Sequence, residues 1–133
     1  MTPIHGIGVG PGDPELLTLK AARVIASAQV VAYPAPEEGA AMARAIAADH
    51  IPEGAEELPI RMPMSADRFP AMAAYDAAAE ALIAHAVAGR RAVVLCEGDS
   101  FLYGSFLYLY ARLAARAPVI VIPGVTSVVA CAA

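Results

Sequence analysis

Three short runs of this chain carry residue types suited to holding a ligand. Gly6-Ile7-Gly8-Val9-Gly10-Pro11-Gly12-Asp13 puts glycine at alternate positions, which lets backbone come close to a bound molecule. Glu97-Gly98-Asp99-Ser100-Phe101-Leu102-Tyr103-Gly104 offers two carboxylates able to accept from ribose hydroxyls or an amino group. Pro123-Gly124-Val125-Thr126-Ser127 offers a turn followed by two hydroxyls. Each run also has a plainer reading. Asp13 and Asp99 stand where a helix N-cap is expected, and Thr126 and Ser127 open a helix that their hydroxyls can cap. The first run is not a dinucleotide fingerprint. Counting from Gly8, the third glycine of G-x-G-x-x-G falls on Asp13, and counting from Gly6 it falls on Pro11. A carboxylate there opposes a phosphate cradle, and the lysine of a P-loop is missing.

No nucleophile with its base can be assembled from these runs. Cys96 lies in the apolar run Ala92–Cys96 and reads as a buried small hydrophobe, and Cys131 is equally bland. There is no C-x-x-C, and His5, His50 and His85 are scattered, so neither a metal nor a disulfide framework is expected. Such a chain binds and orients reactants, which favours a transferase whose cosubstrate brings the reactive group.

The elements around the runs alternate. Apolar stretches at Ile4–Val9, Gln29–Tyr33, Glu56–Met62, Ala92–Cys96 and Pro118–Ile122 predict five strands, the third an edge or bent strand because of Pro59. Between them, helical spacing predicts a helix opened by Asp13-Pro14 and running through Ala26, then helices over Ala40–Asp49, Pro70–Ala88 and Tyr103–Arg116, and a last one from Thr126. Gly89 is the expected stop of the third. This order implies an α/β fold, a five-stranded, mostly parallel sheet flanked by helices on both faces. Ligands of such sheets bind outside the carboxyl ends of the strands, where all three runs fall. Of the eight aromatic residues, five lie between Phe101 and Tyr110; Tyr103 is the one nearest the strand end, and Phe106, Tyr108 and Tyr110 are expected in the core or a subunit interface.

Composition bounds the rest. The 133 residues fit one domain, and 59% hydrophobic with 17% charged residues excludes disorder. A net charge of −4 leaves no footprint for nucleic acid. Pro118 and Pro123 break the longest uncharged stretch, so no membrane span is expected, and the N-terminus has no signal-peptide pattern. A cytoplasmic location follows as the default. Eight of the nine basic residues are arginine, a side chain suited to gripping carboxylates. The apolar excess, partly alanine, leaves surface for a partner or a second domain.

Taken together and in this order, Gly8-Val9-Gly10-Pro11-Gly12-Asp13-Pro14, Val30-Val31-Ala32-Tyr33, Glu97-Gly98-Asp99 and Pro123-Gly124-Val125-Thr126-Ser127 resemble the S-adenosylmethionine-dependent tetrapyrrole methylases. The resemblance covers essentially the whole chain. The stretch from Leu95 to Phe106 is most similar to the members that methylate C20 of precorrin-2 in cobalamin synthesis. Members acting on uroporphyrinogen III usually carry a second glycine where this chain has Glu97. Ser100 replaces the usual proline after the glycine-aspartate pair, which is expected to loosen the turn.

The resemblance implies that residues 1–133 form the N-terminal domain of a two-domain methylase whose C-terminal domain is absent, the last helix ending without a stop signal. It implies a methyl donor, S-adenosylmethionine, held in the interdomain cleft by Pro11, Glu97, Gly98, Asp99, Leu102, Tyr103, Thr126 and Ser127, with no metal. Asp13 is the candidate for orienting the acceptor or handling its proton. Arg61 and Arg68 are candidates for the acceptor's carboxylates. A homodimer and a small tetrapyrrole substrate are implied, with neither nucleic acid nor membrane as partner. Two alternatives stay open: a cobalt-bound acceptor, cobalt-factor II, and a non-catalytic nucleoside-binding or assembly module.

Overall fold

The computed structural model describes residues 1–62, 68–100 and 106–132. Five strands, β1 (Ile4–Gly8), β2 (Val30–Pro36), β3 (Glu56–Met62), β4 (Ala92–Cys96) and β5 (Val119–Ile122), form one sheet in the order β3-β2-β4-β1-β5. Every pairing is parallel, with Ile4 opposite both Ala92 and Val119. The α-helices among the described residues are α1 (Leu19–Ala26), α2 (Met42–Ala47), α3 (Arg68–Val87), α4 (Phe106–Ala114) and α5 (Ser127–Ala132). The expected fold class is the observed one, and β3 and β4 have the expected bounds.

Alternation along each strand sorts side chains onto two faces. On one, Ile4, Ala32, Val94, Leu82, Phe106 and Leu113 pack with α3 and α4. On the other, Ile7, Val9, Val31 and Leu95 pack with Ala21 and Ile25 of α1 and Ala43 and Ile46 of α2. Along β1 this explains the alternate glycines. Gly6 faces α4, where a Cβ would lie 2.2 Å from the Phe106 ring. The first glycine of that run is therefore filled by core packing, not by a ligand. Phe106 is core, as expected. Tyr110 leans on it with centroids 6.0 Å apart, and Tyr108 stacks on Tyr75 at 5.7 Å while staying partly exposed.

Three expected bounds shift for physical reasons. The helix expected from Asp13-Pro14 splits into a 3-10 turn, Pro14–Leu16, and α1, whose N-cap is Thr18 accepting from Ala21 N–H at 3.1 Å. The helix expected over Ala40–Asp49 is α2 plus a 3-10 turn, Ala48–His50. β2 does not stop at Tyr33 but runs through Pro34-Ala35-Pro36 beside Ile60–Met62. Val30 N–H donates to Arg91 O across to β4. By alternation the nitrogens of Pro34 and Pro36 turn the same way, where pairing with β4 has already ended at Ala32 and Val94. The missing donors therefore fall where no ladder exists. Gly89, at φ +80°, ends α3 as expected.

Candidate functional site

The three sequence runs meet at the carboxyl ends of β1, β4 and β5. Val9 N–H donates to Cys96 O at 2.9 Å. Gly10 and Gly98 then exchange backbone hydrogen bonds, 3.1 Å in one direction and 2.8 Å in the other, an isolated antiparallel bridge. The third run packs on this bridge with no side chain between. A Cβ on Gly124 would sit 2.4 Å from Gly98 O and 2.7 Å from Gly8 O, and one on Gly8 would sit 2.6 Å from Gly98 O. Only hydrogen atoms fit in that space. The same packing sets Val125, Thr126 and Ser127 within about 4 Å of where a Gly98 side chain would start.

Polar side chains lock the junction. Asp99 Oδ1 accepts Gly124 N–H at 2.9 Å, joining the loop after β4 to the loop after β5. Ser100 is fully buried and its hydroxyl donates, at a long 3.5 Å, to Ile122 O at the end of β5. Ser100 therefore adds a long hydrogen bond from the loop after β4 to the end of β5. Nothing in its sequence context besides its place after the glycine-aspartate pair signalled this.

Pro11 follows the Gly10 bridge directly and is half-buried, while Glu97 is exposed. Asp13 is exposed and its Oδ1 accepts Glu15 N–H at 2.9 Å, so the capping role allowed by the sequence is the one its carboxylate fills. The turn it caps folds back on the junction, with Leu16 O 3.4 Å from a Cβ placed on Gly10. Leu102 and Tyr103 lie outside the described residues, as does the side chain of Arg68. Arg61 is turned to its own chain, with Nη1 donating to Pro36 O and Gly39 O at 3.0 Å each, which holds the end of β2.

A cavity missed by the sequence reading lies next to the junction. Its volume is about 220 Å³, and its walls include Pro34, Met62, Tyr75, Cys96, Glu97 and Phe106. It opens where β2 and β4 part company, beyond Ala32 and Val94. Helices after β1 and β2 cover one face of the sheet, and α4 after β4 covers the other. β4 is thus flanked by crevices on both sides, the positions where open α/β sheets bind ligands. The β1 side is closed by the Gly10–Gly98 bridge, and the β2 side holds the cavity. Burial, helped by the Asp99 carboxylate and opposed by the Ser100 hydroxyl, pushes the Cys96 thiol up to about 12. It is a wall residue there, not a nucleophile. Among the described residues, no group of three or more His, Cys, Asp and Glu side chains could hold a metal, and no helix is long and apolar enough to cross a membrane.

The arrangement offers exposed carboxylates at Glu97 and Asp13 and an apolar recess, a surface that can orient a polar molecule with an apolar part. Residues 3–133 match the family model for tetrapyrrole (corrin/porphyrin) methylases. A precorrin-2 C(20)-methyltransferase from Sinorhizobium sp is 41% identical over 95% of this chain and 55% of its own length. A cobalt-precorrin-2 C(20)-methyltransferase from Salmonella typhimurium is 33% identical over 98% of this chain and 55% of its own length. Among solved structures, a uroporphyrin-III C-methyl transferase from Thermus thermophilus complexed with S-adenyl homocysteine superposes with a TM-score of 0.73 at 30% identity, covering 98% of this chain and 51% of that one. The chain spans about half the length of these relatives.

Proposed function

Because the chain belongs to the tetrapyrrole (corrin/porphyrin) methylase family, we propose that it is the methyl-donor half of an enzyme that methylates C20 of precorrin-2 in cobalamin synthesis. The observation that carries this reading is the junction itself. Three runs more than a hundred residues apart at their extremes, around Gly10, Gly98 and Gly124, are pressed together at one end of the sheet. The relative that binds S-adenyl homocysteine shares this fold over 98% of the chain. The residues assigned to the donor are Pro11, Glu97, Gly98, Asp99, Thr126 and Ser127 on the junction, with Leu102 and Tyr103 assigned by family resemblance.

S-adenosylmethionine supplies an activated methyl group: the acceptor carbon forms the new bond, the sulfonium sulfur keeps the electron pair of the broken one, and the meso carbon then gives up its proton. The chain's own contribution is alignment, which can supply much of the acceleration in an in-line displacement. Glu97, exposed at the rim of an apolar recess, accepts hydrogen bonds from the donor's hydroxyl or amino groups. The backbone junction keeps Pro11 and Thr126 at fixed separation. Asp13 is assigned, by its place in the first run, to orient the acceptor or take its proton. Asp13→Asn tests that role, because the amide oxygen keeps the cap and only the charge is lost.

The protein is a cytoplasmic homodimer in this reading. Leu107, Tyr108, Ile120 and Val128 are large apolar side chains left exposed on α4, β5 and α5, surface that a second domain or a second copy covers. The decisive experiment incubates the full-length protein with S-adenosylmethionine and either precorrin-2 or its cobalt complex, with mass spectrometry of the macrocycle. One added methyl group on precorrin-2 is expected. Methylation of the cobalt complex alone moves the assignment to that acceptor, and no methylation of either sinks it.

A further inference from the structure

We propose that the recess between β2 and β4 is an acceptor subsite, which takes one uncharged five-membered ring of the tetrapyrrole and leaves the carboxylate arms outside; this rests on the donor-half reading above. The recess exists because of a proline. β2 and β4 pair from Val30 and Ala92 to Ala32 and Val94. The next β2 nitrogen turned toward β4 is that of Pro34, which has no proton to donate. β2 therefore stays with β3 as far as Met62, while β4 runs on to Cys96 without it. The strands part, and a space of about 220 Å³ opens at the carboxyl end of the sheet. Its helix-side wall is held firmly. Tyr75 is buried there, stacked on Tyr108 with centroids 5.7 Å apart and 18° between planes. The Arg112 guanidinium carbon lies 5.9 Å from the Tyr75 centroid. Arg112 is in turn held by Asp76 Oδ1 and by Tyr108 O, so its charge is spent on the wall.

Size, charge and position identify the occupant. An apolar cavity of about 150 Å³ takes benzene, so this space takes one pyrrole-sized ring and not a whole macrocycle. Among the described wall residues Glu97 alone is charged, and its sign is negative. A carboxylate entering the recess would trade water for apolar walls with no cation to meet it. The ring goes in, and the acidic arms stay in solvent. Glu97 also joins the recess to the donor junction, because its neighbour Gly98 makes the bridge to Gly10. A meso carbon adjoins two rings of the macrocycle. Seating one of those rings beside β4 fixes that carbon for in-line approach to the donor methyl, which is the alignment the reaction needs.

The test uses the full-length protein and whichever acceptor it methylates, precorrin-2 or its cobalt complex. In the wild type, carbon-13 labels on methionine methyl groups report the recess through Met62, whose resonance is the one lost in Met62→Leu. That resonance is expected to stay in place with S-adenosylhomocysteine alone and to shift when acceptor is added. Met62→Trp narrows the recess and is expected to raise KM for the acceptor at least about tenfold, as bulk does in an apolar pocket. Its affinity for S-adenosylhomocysteine, by calorimetry, should stay within about twofold of wild type, because the junction lies on the other side of β4. A Met62 resonance that moves with S-adenosylhomocysteine alone makes the recess a donor pocket and overturns the proposal. So does a resonance that ignores the acceptor, or an unchanged KM in Met62→Trp. Should Met62→Trp fail to fold, the wild-type spectra decide. Wild-type protein that methylates neither acceptor overturns the donor-half reading and this subsite with it, whereas normal methylation with a silent Met62 overturns the subsite alone.

Discussion

At the carboxyl ends of β1, β4 and β5 the chain is held by backbone against backbone, whereas at the amino ends of β2, β3 and β4 it is held by long side chains. The first end is the contact of Gly8, Gly98 and Gly124, closed by main-chain hydrogen bonds and by Asp99. At the second, Arg91 N–H donates to Gln29 Oε1 at 2.9 Å and Arg91 Nε to Ser27 O at 2.7 Å. Beside them Glu56 bridges Arg90 and His85, both at 3.1 Å. Arg90 Nη1 lies 3.0 Å from His85 Nδ1. A guanidinium can only donate, so Nδ1 accepts and the ring proton sits on Nε2, facing Glu56. Glycine contacts leave no room for a side chain, so main chain packs directly on main chain. Flexible side chains tolerate change and expose nothing but charge. The contrast separates the end proposed for recognition from the end held together by charged and polar side chains.

The sharpest way to break this contrast is Gly124→Ala. The added methyl meets main-chain oxygens, which cannot rotate away as a side chain would, so the cost falls at the upper end of overpacking, about 3 kcal/mol. Urea unfolding measures it, and calorimetry should show affinity for S-adenosylhomocysteine in the full-length protein reduced at least about tenfold. A variant within about 0.5 kcal/mol of wild type would mean that the loops part easily and that the junction is not rigid.

Cys96 and Cys131 sharpen the same contrast by reactivity. Cys96 is buried at the end of β4 and Cys131 is exposed in α5. With its thiol pushed up to about 12, Cys96 is almost entirely protonated at neutral pH. Iodoacetamide is expected to label Cys131 at least about a hundredfold faster than Cys96 near pH 8, and both equally in denaturant. Mass spectrometry of timed samples reads the two sites apart. Equal native rates would show that the recess beside β4 is wetter and looser than its packing implies.

What the sequence disclosed follows from what its signals report. β4 was legible in full because all five of its residues are apolar and buried. The site was legible as three runs because glycine and proline mark strand ends, but the reason for the glycines was not. Alternation in Gly6-Ile7-Gly8 suggests backbone open to a ligand, while the fold fills those gaps with Phe106 and Gly124. A small residue records that something comes close, not what it is. The same holds for Asp99, since its type does not say whether it accepts from a ligand or from Gly124. The cavity was invisible because its walls come from β2, β3, β4, α3 and α4, each contributing ordinary core residues. The burial of Ser100 was not legible either, because a serine in a turn does not say whether it faces water, and this one does not.

A smaller effect is expected from acid, and it should come from the flank held by side chains. The Arg90 hydrogen bond first, aided by His85, holds the Glu56 carboxyl below its usual 4.5, and Arg44 followed by Tyr33 does the same for Glu57. Depressed folded values mean that both carboxylates stabilise the fold above pH 4.5 and lose that contribution as pH falls through the lower folded values. Thermal unfolding between about pH 5 and pH 3 should show declining stability, with Glu57→Gln flattening part of the decline by less than about 1 kcal/mol, as for exposed pairs. On the alkaline side, burial and then Glu57 raise the Tyr33 hydroxyl above 10, so its contribution is present below pH 10 and lost above it. Tyr33→Phe should remove that alkaline limb. An acid limb that survives Glu57→Gln combined with Glu56→Gln would place the titrating groups outside this flank.

The smallest effect is expected from Arg91→Ala. It removes the Nε bond to Ser27 O, an exposed contact with a neutral acceptor, while the main-chain bond from Arg91 N–H to Gln29 Oε1 and the ladder bonds to Arg91 O persist. The net loss is about 0.5 kcal/mol, since water replaces the lost partner at little cost. It should not change with salt, unlike the loss in Arg90→Ala, whose partner Glu56 is charged. Neither variant should alter donor affinity, because distant sites with no shared contacts contribute independently. A weakened affinity in Arg91→Ala would mean that β4 transmits strain along its length from Ala92 to Cys96, and the two ends of the sheet would then have to be treated as one cooperative unit.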